Sequence, residues 1–400
     1  MRLSLYALLF VLLTGCGLYR SASIRRDIYR AKLVNAPVND TLHVENKMGL
    51  MMVYVKVNNH PRPLEFIFDT GANLTVLNSN TAKELGLSSD RTMKLGDSQG
   101  SSYEVSVINL DTLQLGNGVY TDVLAAIIPF PENSMISCMA RDGILGYHVI
   151  RNAQWAYHPG DTILVGSISD LRGNRTYENV EMTGRKAPVL SLDYNGVRYG
   201  GVLFDSGSTG GLDLKKSAMN PHMNSKRFVT QIDGTTQGVY GNVLDTVYRV
   251  YNDTVQVAGI PLLSNVDFSD KVERKIGMSA FGNRHFIIDG QNERLYLGEA
   301  ESDAVLSRSY GFVPGLRDST LYVANLNLQS QAHQDGAEME KIIYSINGRT
   351  AKDLLNTDCG YLKMILFFSR NEENLTIEYR DGSVFTYQKH VPSGELLNEN

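Results

Sequence analysis

Two aspartates occur in nearly the same local sequence at two places in the chain. The first follows Ile67-Phe68 and leads into Thr70-Gly71-Ala72; the second follows Leu203-Phe204 and leads into Ser206-Gly207-Ser208. A carboxylate placed directly after apolar strand residues is costly to desolvate, so a chain that does this twice has a use for it. One carboxyl group cannot both deprotonate a water and protonate the leaving nitrogen of an amide, whereas two that face each other and share one proton can. Asp69 and Asp205 are therefore a candidate couple for amide hydrolysis by direct attack of water. This chemistry needs no metal and no cofactor, and the sequence has no His/Cys cluster at metal-ligand spacing. A single Asp-Thr-Gly would read as an ordinary turn, because Asp and Gly both favour turns. The repetition is what favours chemistry over a turn.

The elements that must position these acids repeat as well. Upstream, "VYVKVNNHPRPLEFIFDTG" and "VLSLDYNGVRYGGVLFDSG" both alternate apolar and polar residues, break at Asn58-Asn59 or Asn195-Gly196, and resume as an apolar run. This pattern predicts a β-hairpin with the aspartate at the end of its second strand. Downstream, Gly-rich stretches at Gly96 to Tyr103 and Asp233 to Gly241 read as hairpins leading into further alternating strands. Ile144-Leu145-Gly146 and Ala280-Phe281-Gly282 then each close 77 residues after their aspartates (69 to 146, 205 to 282). The glycine after each Thr or Ser permits a tight turn and a close backbone approach, so two such loops can meet on an axis. The copies span 48–175 and 176–300.

Asp-Thr-Gly-Ala and Asp-Ser-Gly-Ser with these flanks resemble the aspartic peptidases, both retropepsin-like and pepsin-like. The resemblance implies a mainly β, two-lobed fold with pseudo-twofold symmetry and no cofactor. It implies that Asp69 and Asp205 are catalytic and that Thr70 and Ser206 hydrogen-bond across to the opposite loop. Gly71, Ala72, Gly207 and Ser208 would complete the loops, and the triplets ending at Gly146 and Gly282 would cross behind them. Tyr103 and Tyr240 lie in the candidate flap hairpins, where each either reaches a polypeptide substrate or packs on its neighbouring strand. Ala72 has no hydroxyl whereas Ser208 does, so a Ser208 bond to Asp205 is expected to place the charge on Asp205 and the proton on Asp69. With both motifs in one chain, a monomer is sufficient. A non-catalytic peptide-binding protein built on the same cleft is the alternative.

Beyond about Tyr310 the repeat ends, and residues 301–400 resemble a PDZ domain appended to the two lobes. Tyr310-Gly311-Phe312 stands near the position of its carboxylate-binding loop, and "IIYSINGR" is the strand before an Asn-Gly turn. Such a unit takes a peptide C-terminus as an added strand, to recruit substrate or control access. A compact spacer is the alternative, and Glu340-Lys341 replaces the Gly-Asp usual at that point. At the other end, Arg2 precedes the apolar run "LSLYALLFVLLTG", the layout of a signal peptide over residues 1–15. Leu13-Thr14-Gly15-Cys16 resembles a bacterial lipobox, which implies lipidation at Cys16, membrane attachment in the cell envelope and a tether over 16–47. Cys138 and Cys359 remain as the possible disulfide pair; they fall in different domains and are expected as free buried thiols. The composition, with 400 residues, 42% hydrophobic, 20% charged and a net charge of -5, is that of ordinary globular domains without a basic surface for nucleic acid.

Overall fold

The apolar alternation becomes strands in both copies. Leu50–Val57 and Leu64–Phe68 form an antiparallel hairpin, with Asn58 and Asn59 both at positive φ, and Val189–Tyr194 pairs with Val197–Asp205 around Asn195 and Gly196 in the same conformation. Asparagine and glycine tolerate that left-handed backbone, which fits the right-handed twist of the flanking strands. The computed structural model describes residues 26–397 apart from 97–101, 185, 234–236, 239–240, 243, 304 and 318, with backbone alone for 237–238, 241–242 and 367–371. The fold is mainly β.

In each lobe the strand ahead of the aspartate is flanked on its other side by a short parallel strand. Gly143–Leu145 runs beside Leu64–Phe68, and Lys275–Gly277 runs beside Val197–Asp205. Each short strand is in turn antiparallel to the strand that leaves its loop, Thr75–Asn78 in the first lobe and Leu212–Leu214 in the second. Phe68 and Phe204, directly before the acids, are fully buried. Phe68 meets Trp155 edge-on at 5.6 Å, and Phe204 meets Phe281 at 5.0 Å and Phe286 at 5.7 Å. Both aromatic groups belong to one apolar core that runs beneath the two loops from lobe to lobe.

A six-stranded sheet lies below this layer and carries the pseudo-twofold. Gln154–His158 and Arg284–Asp289 pair at its centre, Ile163–Ser167 and Arg294–Ala300 flank them, and Asp40–His43 and Glu178–Glu181 close the two ends. Within the tether or N-terminal segment of 16–47, Lys32–Asn35 pairs with Gly118–Thr121, and Asp40–His43 is an outer strand of the shared sheet. Edge positions need only a few alternating residues, so these short strands gave no long pattern to read.

The C-terminal unit has its own core around Phe312, Leu321, Ile346 and Tyr379. It is nevertheless joined to both lobes. Its strand Thr320–Asn327 pairs with Val229–Asp233 of the second lobe, extending that sheet. Cys138, in the first-lobe helix Met135–Met139, is disulfide-bonded to Cys359 at the start of the helix Gly360–Asn371, with Cα atoms 5.6 Å apart. The expectation of free thiols is thereby corrected. Residues far apart in sequence and in different units are brought within disulfide reach by the packing of the third unit against the first.

Candidate active site

The two aspartate loops meet through a reciprocal set of hydrogen bonds. Thr70 Oγ1 donates to the carbonyl of Phe204 at 2.7 Å and accepts the N–H of Ser206 at 2.9 Å. Ser206 Oγ donates to the carbonyl of Phe68 at 2.8 Å and accepts the N–H of Thr70 at 2.9 Å. Both side chains are wholly buried. Each hydroxyl uses its donor and an acceptor site on the opposite backbone, so the ring of four bonds leaves none of these groups unpaired.

This ring places the two carboxyl groups against each other on the axis. Each also takes donors from its own loop. Asp69 Oδ1 accepts the N–H groups of Gly71 at 2.7 Å and Ala72 at 3.1 Å, and Asp205 Oδ1 accepts the N–H of Gly207 at 3.0 Å. The glycines make the approach possible: a Cβ on Gly71 would lie 2.6 Å from Asp205 Oδ1, and one on Gly207 would overlap the Asp69 carboxyl carbon. Burial, followed by the charge of Asp205, pushes the Asp69 carboxyl up to about 8, against the pull of the Ala72 and Gly71 N–H groups. Two facing carboxyl groups, one of them raised by burial beside the other, are the arrangement that a shared-proton hydrolysis requires.

The strand behind each loop corrects one expectation. Gly146 behaves as expected: a Cβ there would lie 2.5 Å from the Leu74 carbonyl carbon, and the next N–H, of Tyr147, donates to Ala72 O at 2.7 Å. In the second lobe the equivalent residue is Gly277, not Gly282. A Cβ on Gly277 would lie 2.6 Å from Gly210 O, and the N–H of Met278 donates to Ser208 O at 2.9 Å. Gly282 instead ends the short helix Met278–Phe281 at φ 53°, with open space around its Cβ position. The equal spacing of 77 residues was coincidental, since the second copy reaches its crossing strand sooner.

The realigned strand reveals a residue that sequence reasoning missed. Lys275 stands where the first lobe has Ile144, each opposite the residue two before its aspartate. Its Nζ lies 3.4 Å from Asp205 Oδ2 and 3.9 Å from Asp213 Oδ2. The Ser208 hydroxyl, by contrast, is not bonded to Asp205; it accepts the Gly210 N–H at 3.4 Å. The bond expected from Ser208 to Asp205 is therefore not formed, and Lys275 is what distinguishes the surroundings of Asp205 from those of Asp69.

Beside the aspartate loops, a cavity of about 510 Å³ opens between the lobes, with Gly71 and Asn73 on one side and Leu203, Lys215, Glu273 and Arg274 on the other; neither Asp69 nor Asp205 lines it. Of the flap candidates, Tyr103 pairs with Leu95 in the hairpin of Thr92–Gly96 and Ser102–Leu110 and is half exposed. Tyr240 and Cys16 lie outside the described residues. In the second hairpin, Gln237–Gly238 pairs with Gly241–Asn242. In the C-terminal unit, the edge strand Phe312–Arg317 contains Pro314, which has no N–H, and the Tyr361 hydroxyl donates to its carbonyl at 2.6 Å.

A protein-family model described as an aspartyl protease matches residues 53–149, from the first hairpin through the helix after Gly146. The first lobe thus carries an aspartyl protease-like domain. No curated protein sequence matches the chain.

Proposed function

We propose that the protein is an aspartic endopeptidase in which a water activated between Asp69 and Asp205 attacks the peptide bond of a polypeptide held across the cleft. The observation that carries this reading is the reciprocal Thr70–Ser206 exchange, which brings the two aspartate loops together beside a cavity between the two lobes. Asp205, in its charged form, takes a proton from the water. Asp69 gives its proton to the carbonyl oxygen as the tetrahedral intermediate forms, and proton return to the leaving nitrogen completes cleavage. The aspartyl protease match over the first lobe supports the chemistry, and the second motif supplies the other acid within the same chain.

The C-terminal PDZ-like unit acts in this reading through regulation more than through capture of a peptide C-terminus. Its edge strand offers neither donor nor acceptor at Pro314, while its strand Thr320–Asn327 is annexed to the base of the second-lobe hairpin. The N-terminal leader and the Cys16 lipobox support export and lipid anchoring to the envelope, and the Cys138–Cys359 bond suits an oxidising compartment. The test is incubation of the purified protein with a denatured polypeptide over a range of pH, beside Asp69→Asn and Asp205→Asn. Cleavage by the wild type alone is expected. Equal cleavage by all three, or none by any, removes the catalytic reading in favour of peptide binding.

A further inference from the structure

The two lobes differ in chemistry at a set of four matched positions behind the aspartate loops. In the first lobe Ile144 lies opposite Val76, Val76 runs beside Ala126, and Ala126 lies opposite Val107. All four belong to one buried apolar cluster. In the second lobe the same registers hold Lys275 opposite Asp213, Asp213 beside Asp267, and Asp267 opposite Arg249. Arg249 grips Asp267 through both arms at 2.6 Å, and its guanidinium rests over the Tyr251 ring. Four apolar side chains in one lobe have thus become two cations and two acids in the other, on the same backbone frame.

Packing does not demand these charges, because the first lobe closes this layer without them. A buried ionic set is often no more stabilising than apolar side chains of similar volume, so its presence calls for another reason. The set is aimed: Lys275 lies at its inner end, with Asp205 at 3.4 Å. Burial alone would strip the proton from the Lys275 ammonium, but Asp205, Asp213 and Asp69 together hold it charged. Burial pushes the Asp213 carboxyl up to about 7 against the pull of Lys275. Among the described residues, Asp205, Asp213 and Asp69 act on this ammonium, and Asp267 and Arg249 act in turn on Asp213 behind it.

We propose that Lys275 is the positioning residue of the dyad: its ammonium, held from behind by Asp213 and the Arg249–Asp267 pair, fixes the negative charge on Asp205 and leaves the shared proton on Asp69. This rests on reading Asp69 and Asp205 as a hydrolytic couple. A cation beside the dyad favours its singly ionised form, so removing it makes the first ionisation harder and moves the acidic limb of the pH–rate profile upward. At this separation the movement is about one to three pH units, between full and partial solvent screening.

The informative variant is Lys275→Ile with Asp213→Val, which copies the first lobe and leaves no orphaned charge; Lys275→Met alone is the second. Two readouts are taken: the pH dependence of kcat/KM, and carboxyl ¹³C spectra of aspartate-labelled full chain assigned with Asp69→Asn and Asp205→Asn. The wild type is expected to hold its proton on Asp69 at near-neutral pH, and the double variant to redistribute it and raise the acidic limb. Superimposable limbs, or unchanged Asp69 and Asp205 resonances, would overturn the proposal. A protein that cleaves nothing defeats the peptidase reading, and the carboxyl spectra then decide on Lys275 by themselves.

Discussion

Replacing Thr70 by valine tests the ring of bonds between the loops with little change of shape. The substitution swaps a hydroxyl for a methyl, so it opens no cavity, but it removes the bonds to Phe204 O at 2.7 Å and from the Ser206 N–H at 2.9 Å. Both partners are then buried without a mate, at about 1–3 kcal/mol each, or about 2–6 kcal/mol for the pair. Differential scanning calorimetry should register this as a fall in Tm of about 2–7 °C for a chain of 400 residues. Ser206→Ala should do the same from the other side. Because the two hydroxyls close one ring, the double variant should cost less than the two singles together, by about 0.5–3 kcal/mol. Loss of fixed carboxyl geometry should lower kcat/KM by at least about 100-fold. A Tm within about 1 °C of wild type, or strictly additive losses, would refute the reading that these side chains hold the loops together.

Three further outcomes follow from the same geometry. Gly71→Ala and Gly277→Ala should abolish cleavage or folding, since their Cβ atoms would lie 2.6 Å from Asp205 Oδ1 and Gly210 O, while Gly282→Ala meets no atom and costs only the backbone strain of φ 53° and ψ -126°, about 1–3 kcal/mol, leaving kcat/KM of the folded protein intact; equal effects at 277 and 282 would contradict the realigned repeat. Reduction of the Cys138–Cys359 bond, which closes a sequence separation of 221 residues, should remove up to about 5 kcal/mol of stability and lower Tm to that of Cys138→Ser/Cys359→Ser; a wild type indifferent to reductant would show that the bond contributes nothing. Asp69 binds its proton more tightly folded than unfolded, so its contribution to stability is full below the unfolded value of 3.8 and is lost as pH rises through about 8. Asp69→Asn should therefore raise Tm relative to wild type at pH 8 more than at pH 4, and a constant difference across that range would deny the elevated carboxyl.

The acids and their hairpins could be read in the sequence because the signals are local and occur twice. Alternation, the Asn turns and Asp-Thr/Ser-Gly all lie within about twenty residues of each acid. The crossing strand was harder, because loops between matched elements differ in length. A glycine triplet at equal spacing drew attention to Gly282, and the true counterpart Gly277 hid Lys275 in a stretch that reads as a charged turn. Only strand register identifies that lysine as the partner of Ile144. The disulfide was illegible for a related reason, since nothing near Cys138 or Cys359 records that the third unit folds back onto the first. Ser208 was plausible from composition, but its hydroxyl turns to its own loop rather than to Asp205.

The most direct measurement of the central claim is digestion of a defined polypeptide in H₂¹⁸O, with mass spectrometry of the new C-termini. The account predicts ¹⁸O at the new C-termini generated by the wild type and no new C-termini with Asp69→Asn or Asp205→Asn. Labelled cleavage that persists undiminished in either variant would show that water is activated elsewhere, and would contradict a site built from these two acids.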